Sequence, residues 1–552
     1  MGDNCFRIGL AMAGAVSAGA YSAGVLDFLV EALDAWHAAK ARGEAVPRHA
    51  VSLEAASGAS AGAMCAALLA AALPYRFPHA RLDARRRPDA RAGENPFYRA
   101  WVRDIGIAPL LGTADLAGGP LKSLLDCTAL DGIVQAALDF AGPAQPRPYV
   151  RRPFVARFTL GNLRGVPYTV NYRGTRPASD TLYAHADFQG FLVGGEPPRP
   201  LPPHLAGHRL LGAEPSAADP AWRGLGEAAL ASGAFPFFLK PRLLSRPGSD
   251  YAALRFGTGD PALPGGSLSV PPAWGDGAAP AAYDYVCMDG GLFNNEPLEL
   301  AREVVAGGYG CRMPRSGALA DRAVLMIAPF VSRPGAGTLL PVAPLHQLIA
   351  PLLFSLVAQC RFAPQDLALA QDETVYSRFL LAPTGSKSPP GAPYWIAGGP
   401  LEGFFGFLHE EFRKHDYQLG RRNCQRFLQR HFTLPADNPI VAAGYAELAE
   451  PQLRAWRTAD GELPIVPLTG TAVPEEPACD WPAGQLDVEE ILHAARRRAD
   501  AVSAALRAGI GGPWLRRQAL GLLARAGWIA ARPPLQRALR QALEDARSAQ
   551  QL

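Results

Sequence analysis

Three observations predict an α/β fold with a mostly parallel central sheet and helices on both faces. An apolar strand, a glycine-containing turn and a long helix succeed one another at Arg7 to Met12, Ala13 to Gly19 and about Ala20 to Ala39. The same order recurs at Val51 to Leu73, where a strand to Ala56 leads through a small-residue turn into a helix from Ala61. Two such units in succession make a β-α-β-α arrangement with parallel strands. Later strands, Tyr283 to Met288, Ala323 to Ala328 and Thr374 to Leu381, alternate with helices at about Leu298 to Val305 and Leu345 to Phe362.

At the N-terminus, Ile8 to Val30 is mostly apolar, but Arg7 is its only basic flank. Gly14, Gly19 and Gly24 interrupt it, and it runs into Asp27, Glu31 and Asp34. That pattern fits a strand, a turn and a helix better than a secretion signal or a membrane span. Phe at position 6 also breaks the myristoylation pattern that Gly2 would need.

Between the second helix and Tyr283 the regular alternation weakens. An Arg-rich run (Arg81 to Arg91) is followed by a helical piece near Leu125 to Phe140, and Phe154 to Gly161 and Val166 to Tyr172 read as two strands. Pro-rich stretches at Glu196 to His204 and Asp260 to Trp274 read as surface excursions. Gly403 to Phe432 reads as a helix with many charges on a solvated or bridging face. The expected organisation is a catalytic domain over 1–440 with insertions at about 75–150 and 165–280. A Pro- and Glu-rich linker over 441–483 and a helical C-terminal region over 484–552 follow it.

With 552 residues, 49% of them hydrophobic and 19% charged, the chain has ample material for a large globular core. A net charge of +4 at this length gives no argument for nucleic-acid binding. The eight cysteines are spread singly with no C-x-x-C pair, which disfavours a zinc knuckle or disulfide framework and fits a reducing, cytoplasmic compartment.

The chemistry centres on Gly58-Ala59-Ser60-Ala61-Gly62, a G-x-S-x-G pattern between strand and helix. A tight strand-to-helix turn needs small residues on both sides and lifts a serine hydroxyl above the sheet. In a chain with 57 glycines that pattern alone discriminates little, so the partners decide. Asp289, ending an apolar strand and followed by Gly290 and Gly291, directs a carboxylate toward the same sheet edge. Taken alone, it reads as readily as the cap of a turn. The loop Ala13 to Gly19 offers successive backbone N–H groups at a helix N-terminus, suited to an anion or equally to a plain turn. Ser17 and Ser22 have similar surroundings but lack the full pattern.

Taken together, these pieces resemble the patatin-like phospholipase family, which arranges a glycine-rich oxyanion loop, G-x-S-x-G and a distant D-G-G in this order. Ala20-Tyr21-Ser22-Ala23-Gly24-Val25-Leu26 and Ala231 to Pro236 match it too, and Asn294-Asn295-Glu296-Pro297 is similar to its Asn-Asn-Pro. The resemblance spans about Phe6 to Pro329. It implies a patatin-like three-layer sandwich, and a serine–aspartate dyad of Ser60 and Asp289 acting on a lipid or other carboxylic ester through an acyl-enzyme. It also implies an oxyanion hole at Gly14, Ala15 and Val16, assisted by Ala61, and no metal or other cofactor. Where the family reads G-G-G-x-R-G, this chain reads Gly14-Ala15-Val16-Ser17-Ala18-Gly19, without two glycines and the arginine.

Alternatives stay open at this level. A Ser-His-Asp esterase would draw its histidine from His409, His415 or His431, and an acyltransferase would use the same dyad. A non-catalytic membrane-surface protein would rely on the C-terminal region. There Arg496-Arg497-Arg498 and Trp514-Leu515-Arg516-Arg517 could contact an anionic bilayer or form a packed helical hairpin.

Overall fold

The computed structural model describes residues 4–509 apart from 84–86, 118–119, 173–177, 258–266, 276, 331–354, 356–373, 386–394, 401–402, 484–485 and 487. Nine strands among them form one sheet: β1 (Cys5–Met12), β2 (Ala50–Gly58), β3 (Val150–Tyr172), β4 (Ala178–Val193), β5 (Arg209–Leu211), β6 (Arg242–Arg246), β7 (Tyr283–Asp289), β8 (Arg322–Ile327) and β9 (Arg378–Leu381). The helices that matter for the site are α1 (Gly19–Ala41), α2 (Ala61–Ala72), α3 (Thr128–Leu138), α4 (Pro220–Ser232), α5 (Leu298–Ala306), α6 (Glu410–Arg430) and α7 (Val488–Gly509).

The strand order is β9-β8-β1-β2-β3-β4-β5, parallel from β9 through the start of β3. Because β1 is covered on both faces, it reads as an almost continuous apolar run. Its alternate residues still separate the layers. Ile8, Leu10 and Met12 join the main core with α1 and α2, while Ala11 packs with Ala301 of α5 and Val324 and Met326 of β8. Gly9 lies beneath α5, where a Cβ would come within 2.7 Å of the Val305 side chain. The result is a mostly parallel sheet between helical layers, as the sequence predicts.

Four features depart from the expectations. The two strands expected at Phe154 to Gly161 and Val166 to Tyr172 are one long strand, β3, with an irregularity between Gly161 and Val166. It is paired along most of its length with the unanticipated β4 in antiparallel sense. Secondly, β7 is antiparallel to both β3 and β6, so this part of the sheet is mixed rather than a parallel continuation.

Thirdly, α6 is not a solvated or bridging helix. It lies against α1 where Gly24 and Gly420 let the backbones meet: a Cβ on Gly24 would sit 2.0 Å from Tyr417 O, and one on Gly420 2.1 Å from Tyr21 O. The buried charges of α6 are satisfied within the protein: Arg413 donates to the carbonyls of Val102 and Gly406, and Asp416 accepts from the Ala397 and Gly398 N–H groups. Arg421, fully buried, donates to Asp27 at 2.5 Å, Glu31 at 2.7 Å and Glu476 at 2.5 Å.

Fourthly, 441–483 does not behave as a linker. Ile465 and Val466 are buried in the main core, a strand pair joins Thr433–Leu434 to Leu463–Pro464, and Glu476 is one of the Arg421 partners. Helix α7 is likewise attached, since its buried Arg498 pairs with Asp115 at 2.8 Å and donates to the carbonyls of Gly112 and Leu124. The helix expected at Leu345 to Phe362 and the segment from Trp514 onward lie outside the described residues, apart from residue 355.

Candidate active site

The turn between β2 and α2 is held by contacts that only small residues permit. A Cβ on Gly58 would lie 2.4 Å from the Gly62 carbonyl, and one on Gly62 would lie 2.3 Å from Met12 O. The turn therefore folds onto itself and onto the end of β1, where Ala59 N–H donates to Met12 O at 3.1 Å. At its apex Ser60 adopts φ 51° and ψ −121°, a region that a residue with a Cβ occupies only at a cost of order 1–3 kcal/mol. The strain is held by these contacts and by Ser232, whose Oγ accepts the Ser60 N–H at 2.9 Å.

Asp289 reaches Ser60 through β3. Strand β2 ends at Gly58, paired with Phe158, and β7 ends at Asp289, paired with Leu160. The two strands thus arrive from opposite directions along one edge of β3 and end almost abutting. Gly290 allows the turn there, because a Cβ would fall 2.2 Å from Thr159 O. The Ser60 hydroxyl donates to Asp289 Oδ2 at 2.9 Å, and Gly291 N–H donates to Oδ1 at 2.7 Å. Asp289 N–H is taken by Ala234 O at 3.0 Å.

The carboxyl is 4% exposed, and burial pushes its pKa up to about 6 against the pull of Gly291 N–H and the Ser60 hydroxyl. A hydroxyl bonded to a carboxylate poised near neutrality can surrender its proton when it attacks an electrophile.

The loop after β1 lies beside this pair. Gly14 is wedged between Asn295 and Ser60: a Cβ there would be 2.2 Å from Asn295 Oδ1 and 3.2 Å from Ser60 Cβ. Its own N–H is spent on Asn295 O at 3.1 Å, so Gly14 acts as a close-packed spacer and not as a free donor. Ala15 takes φ −150°, which suits a Cβ, whereas Val16 takes φ 48°, an outlier for a β-branched residue. The N–H groups of Ala15, Val16 and Ala61 have no partner among the described residues. They lie in the loop and at the helix start that flank Ser60, where an oxyanion would need donors. Ser17 fixes the loop from behind by donating to Gly403 O.

Ser60 and Asp289 open onto a narrow apolar cavity that Val16, Phe235 and Phe404 also line. None of the three candidate histidines pairs with Ser60. His415 bonds Asp416 through Nδ1 at 2.9 Å and packs on Trp481, His409 caps the start of α6, and His431 stands at its end against Phe427. Of the other two serines, Ser17 is the loop brace and Ser22 is buried within α1. Sequence reasoning assigned no role to Ser232, Ala234 or Asn295. The Ala-Ser-x-Ala and Asn-Asn stretches that contain them were the available signals.

The chain matches the family model described as patatin-like phospholipase over residues 10–302. It is also similar to an uncharacterized protein, y4iI, of Sinorhizobium fredii. The two are 38% identical over 522 residues, covering 86% of this chain and 72% of that protein.

Proposed function

The chain belongs to the patatin-like phospholipase family, a family of lipid acyl hydrolases, and from that premise we propose that it cleaves a lipid carboxylic ester with Ser60 as nucleophile and Asp289 as base. The observation that carries this reading is the 2.9 Å hydrogen bond from Ser60 Oγ to the buried Asp289 carboxylate, with no histidine between them. As Ser60 Oγ bonds to the ester carbonyl carbon, its proton passes to Asp289. The carbonyl oxygen becomes an oxyanion held by N–H groups of Ala15, Val16 and Ala61. Collapse breaks the ester bond, and Asp289 returns the proton to the leaving alcohol. Water then repeats the sequence on the acyl-enzyme, with Asp289 taking its proton and Ser60 leaving as the alcohol. An acceptor alcohol in place of water gives acyl transfer with the same groups.

We place this activity at a lipid surface in a reducing compartment. Phe237 and Phe238, 72% and 40% exposed, follow the cavity-lining Phe235, and exposed Leu124 adjoins Phe237 through a backbone hydrogen bond. An apolar rim of this kind suits contact with acyl chains at an interface. A panel of phospholipids, acylglycerols and short synthetic esters tests the function, with wild type beside Ser60→Ala, Asp289→Asn and His415→Ala. Fatty-acid release from at least one substrate is expected, falling about a thousandfold or more in the first two variants and much less per folded molecule in the third. Loss of activity in His415→Ala equal to that in Ser60→Ala would favour the triad instead.

A further inference from the structure

Two apolar cavities adjoin along α2 and share Met64, Trp101, Ile105 and Leu130. The outer one holds Ser60 and Asp289, and the inner one is bordered by Ala67, Ala71, Val134 and Gly226. Ser60, which caps α2, and the α2 residues Ala61, Met64, Ala67, Leu68 and Ala71 lie along one side of the helix, so the helix that begins at the nucleophile also walls the space along its length. From Ser60 to Ala71 that wall runs roughly 16 Å. Helices α3 and α4 form the opposite side and come together at Gly226, where a Cβ would lie 2.6 Å from Val134 Cγ1.

Volume and chemistry restrict what can enter. The centre of a water-sized group has about 40 Å³ of room in the outer chamber and about 50 Å³ in the inner one, each several times the roughly 10–15 Å³ that one water needs. The side chains bordering the inner chamber are alanine, leucine, isoleucine, valine, methionine and tryptophan, beside one glycine, so a polar guest would lose its hydration without compensation. Met64 stands at the junction, its Cε so close to Gly233 that a Cβ there would be 2.4 Å away. An unbranched thioether side chain can swing aside at little cost.

We propose that the two chambers form one acyl-chain tunnel with Met64 as its gate, so that this protein selects long acyl chains over short ones. Short chains fill the outer chamber, and longer ones displace the Met64 side chain and run along Ala67 and Ala71. The direction of entry rests on Ser60 being the acyl acceptor, but the tunnel can be tested without catalysis.

The test is calorimetric titration of Ser60→Ala protein with methyl esters of saturated acids from six to fourteen carbons. Affinity is expected to rise roughly fourfold per added methylene, beyond the length that the outer chamber alone holds. In Ser60→Ala/Ala67→Phe the rise is expected to stop early, lowering the long-to-short affinity ratio about tenfold or more. Ala137→Phe, from α3, provides a second plug should the first variant not fold. Met64→Ala should raise the ratio. Affinity independent of chain length in Ser60→Ala, or an unchanged ratio in a folded plugged variant, would overturn the tunnel while leaving the role of Ser60 to its own assay. A length-dependent affinity in a protein whose Ser60 proves unreactive would instead retain the tunnel and discard the catalytic reading.

Discussion

Asp289→Asn should inactivate the protein and stabilise it, and the stabilisation should depend on pH. The folded chain holds this carboxyl at about 6, against 3.8 for an unperturbed aspartate, because it is buried with only Gly291 N–H and the Ser60 hydroxyl to offset the loss of water. Below the unfolded value the group is neutral in both states and costs nothing. As pH rises from about 4 to about 6 the unfolded chain ionises first, so wild type loses stability across that window and the deficit is constant above it. A shift of about two units corresponds to about 3 kcal/mol.

Asparagine removes the charge yet keeps both contacts, its oxygen accepting from Gly291 and its amide donating to Ser60. With an unfolding entropy of about 2 cal/mol/K per residue over 552 residues, 3 kcal/mol is about 3 °C in Tm. Differential scanning calorimetry of both proteins at about pH 4 and about pH 8 is the assay. The variant should melt with wild type at the acid pH and above it at the alkaline one. A variant that melts at or below wild type at about pH 8, with the gap unchanged at about pH 4, would refute the claim that Asp289 is held as a costly buried base.

Further outcomes follow from the same geometry. The kcat/KM of wild type should rise with pH along an acid limb whose apparent pKa is near 6, and a plateau persisting down to about pH 4 would contradict Asp289 as the base. Ser232→Ala leaves the Ser60 N–H unpaired, a loss of about 1–3 kcal/mol, and should lower kcat about tenfold or more while changing KM little in steady-state assays. Arg421→Ala removes the buried cation shared by Asp27, Glu31 and Glu476. Of charged or amide side chains it leaves His79 and Asn95 to Asp27, Arg81 to Glu31 and Gln418 to Glu476, and it should cost about 3–5 kcal/mol, read as a lowered Tm.

Much of the site was legible because its constraints are local. Gly58 and Gly62 are demanded by a turn only a few residues long, and Gly290 by a backbone contact next to Asp289. What brings Ser60 and Asp289 together was not legible. The register of β2 and β7 on one edge of β3 is a pairing between segments far apart in sequence, and β7 runs opposite to a simple parallel continuation. Charge-based readings failed for a similar reason. Arg421 looks like a solvated residue until Asp27 and Glu31, some 390 residues away, and Glu476 are brought onto it. Proline-rich composition concealed Ile465 and Val466 as core residues, and an alanine-rich α2 gave no hint that a cavity runs beside its small side chains. The substitution of Val16 into a glycine-rich loop was visible, but its left-handed conformation was not.

The most direct test of the central claim is labelling with a fluorophosphonate, read by intact mass and peptide mapping. One label per chain, on Ser60, lost in Ser60→Ala and slowed in Asp289→Asn, is the predicted result. A folded wild type that does not label, or a label that persists in Ser60→Ala, would contradict it.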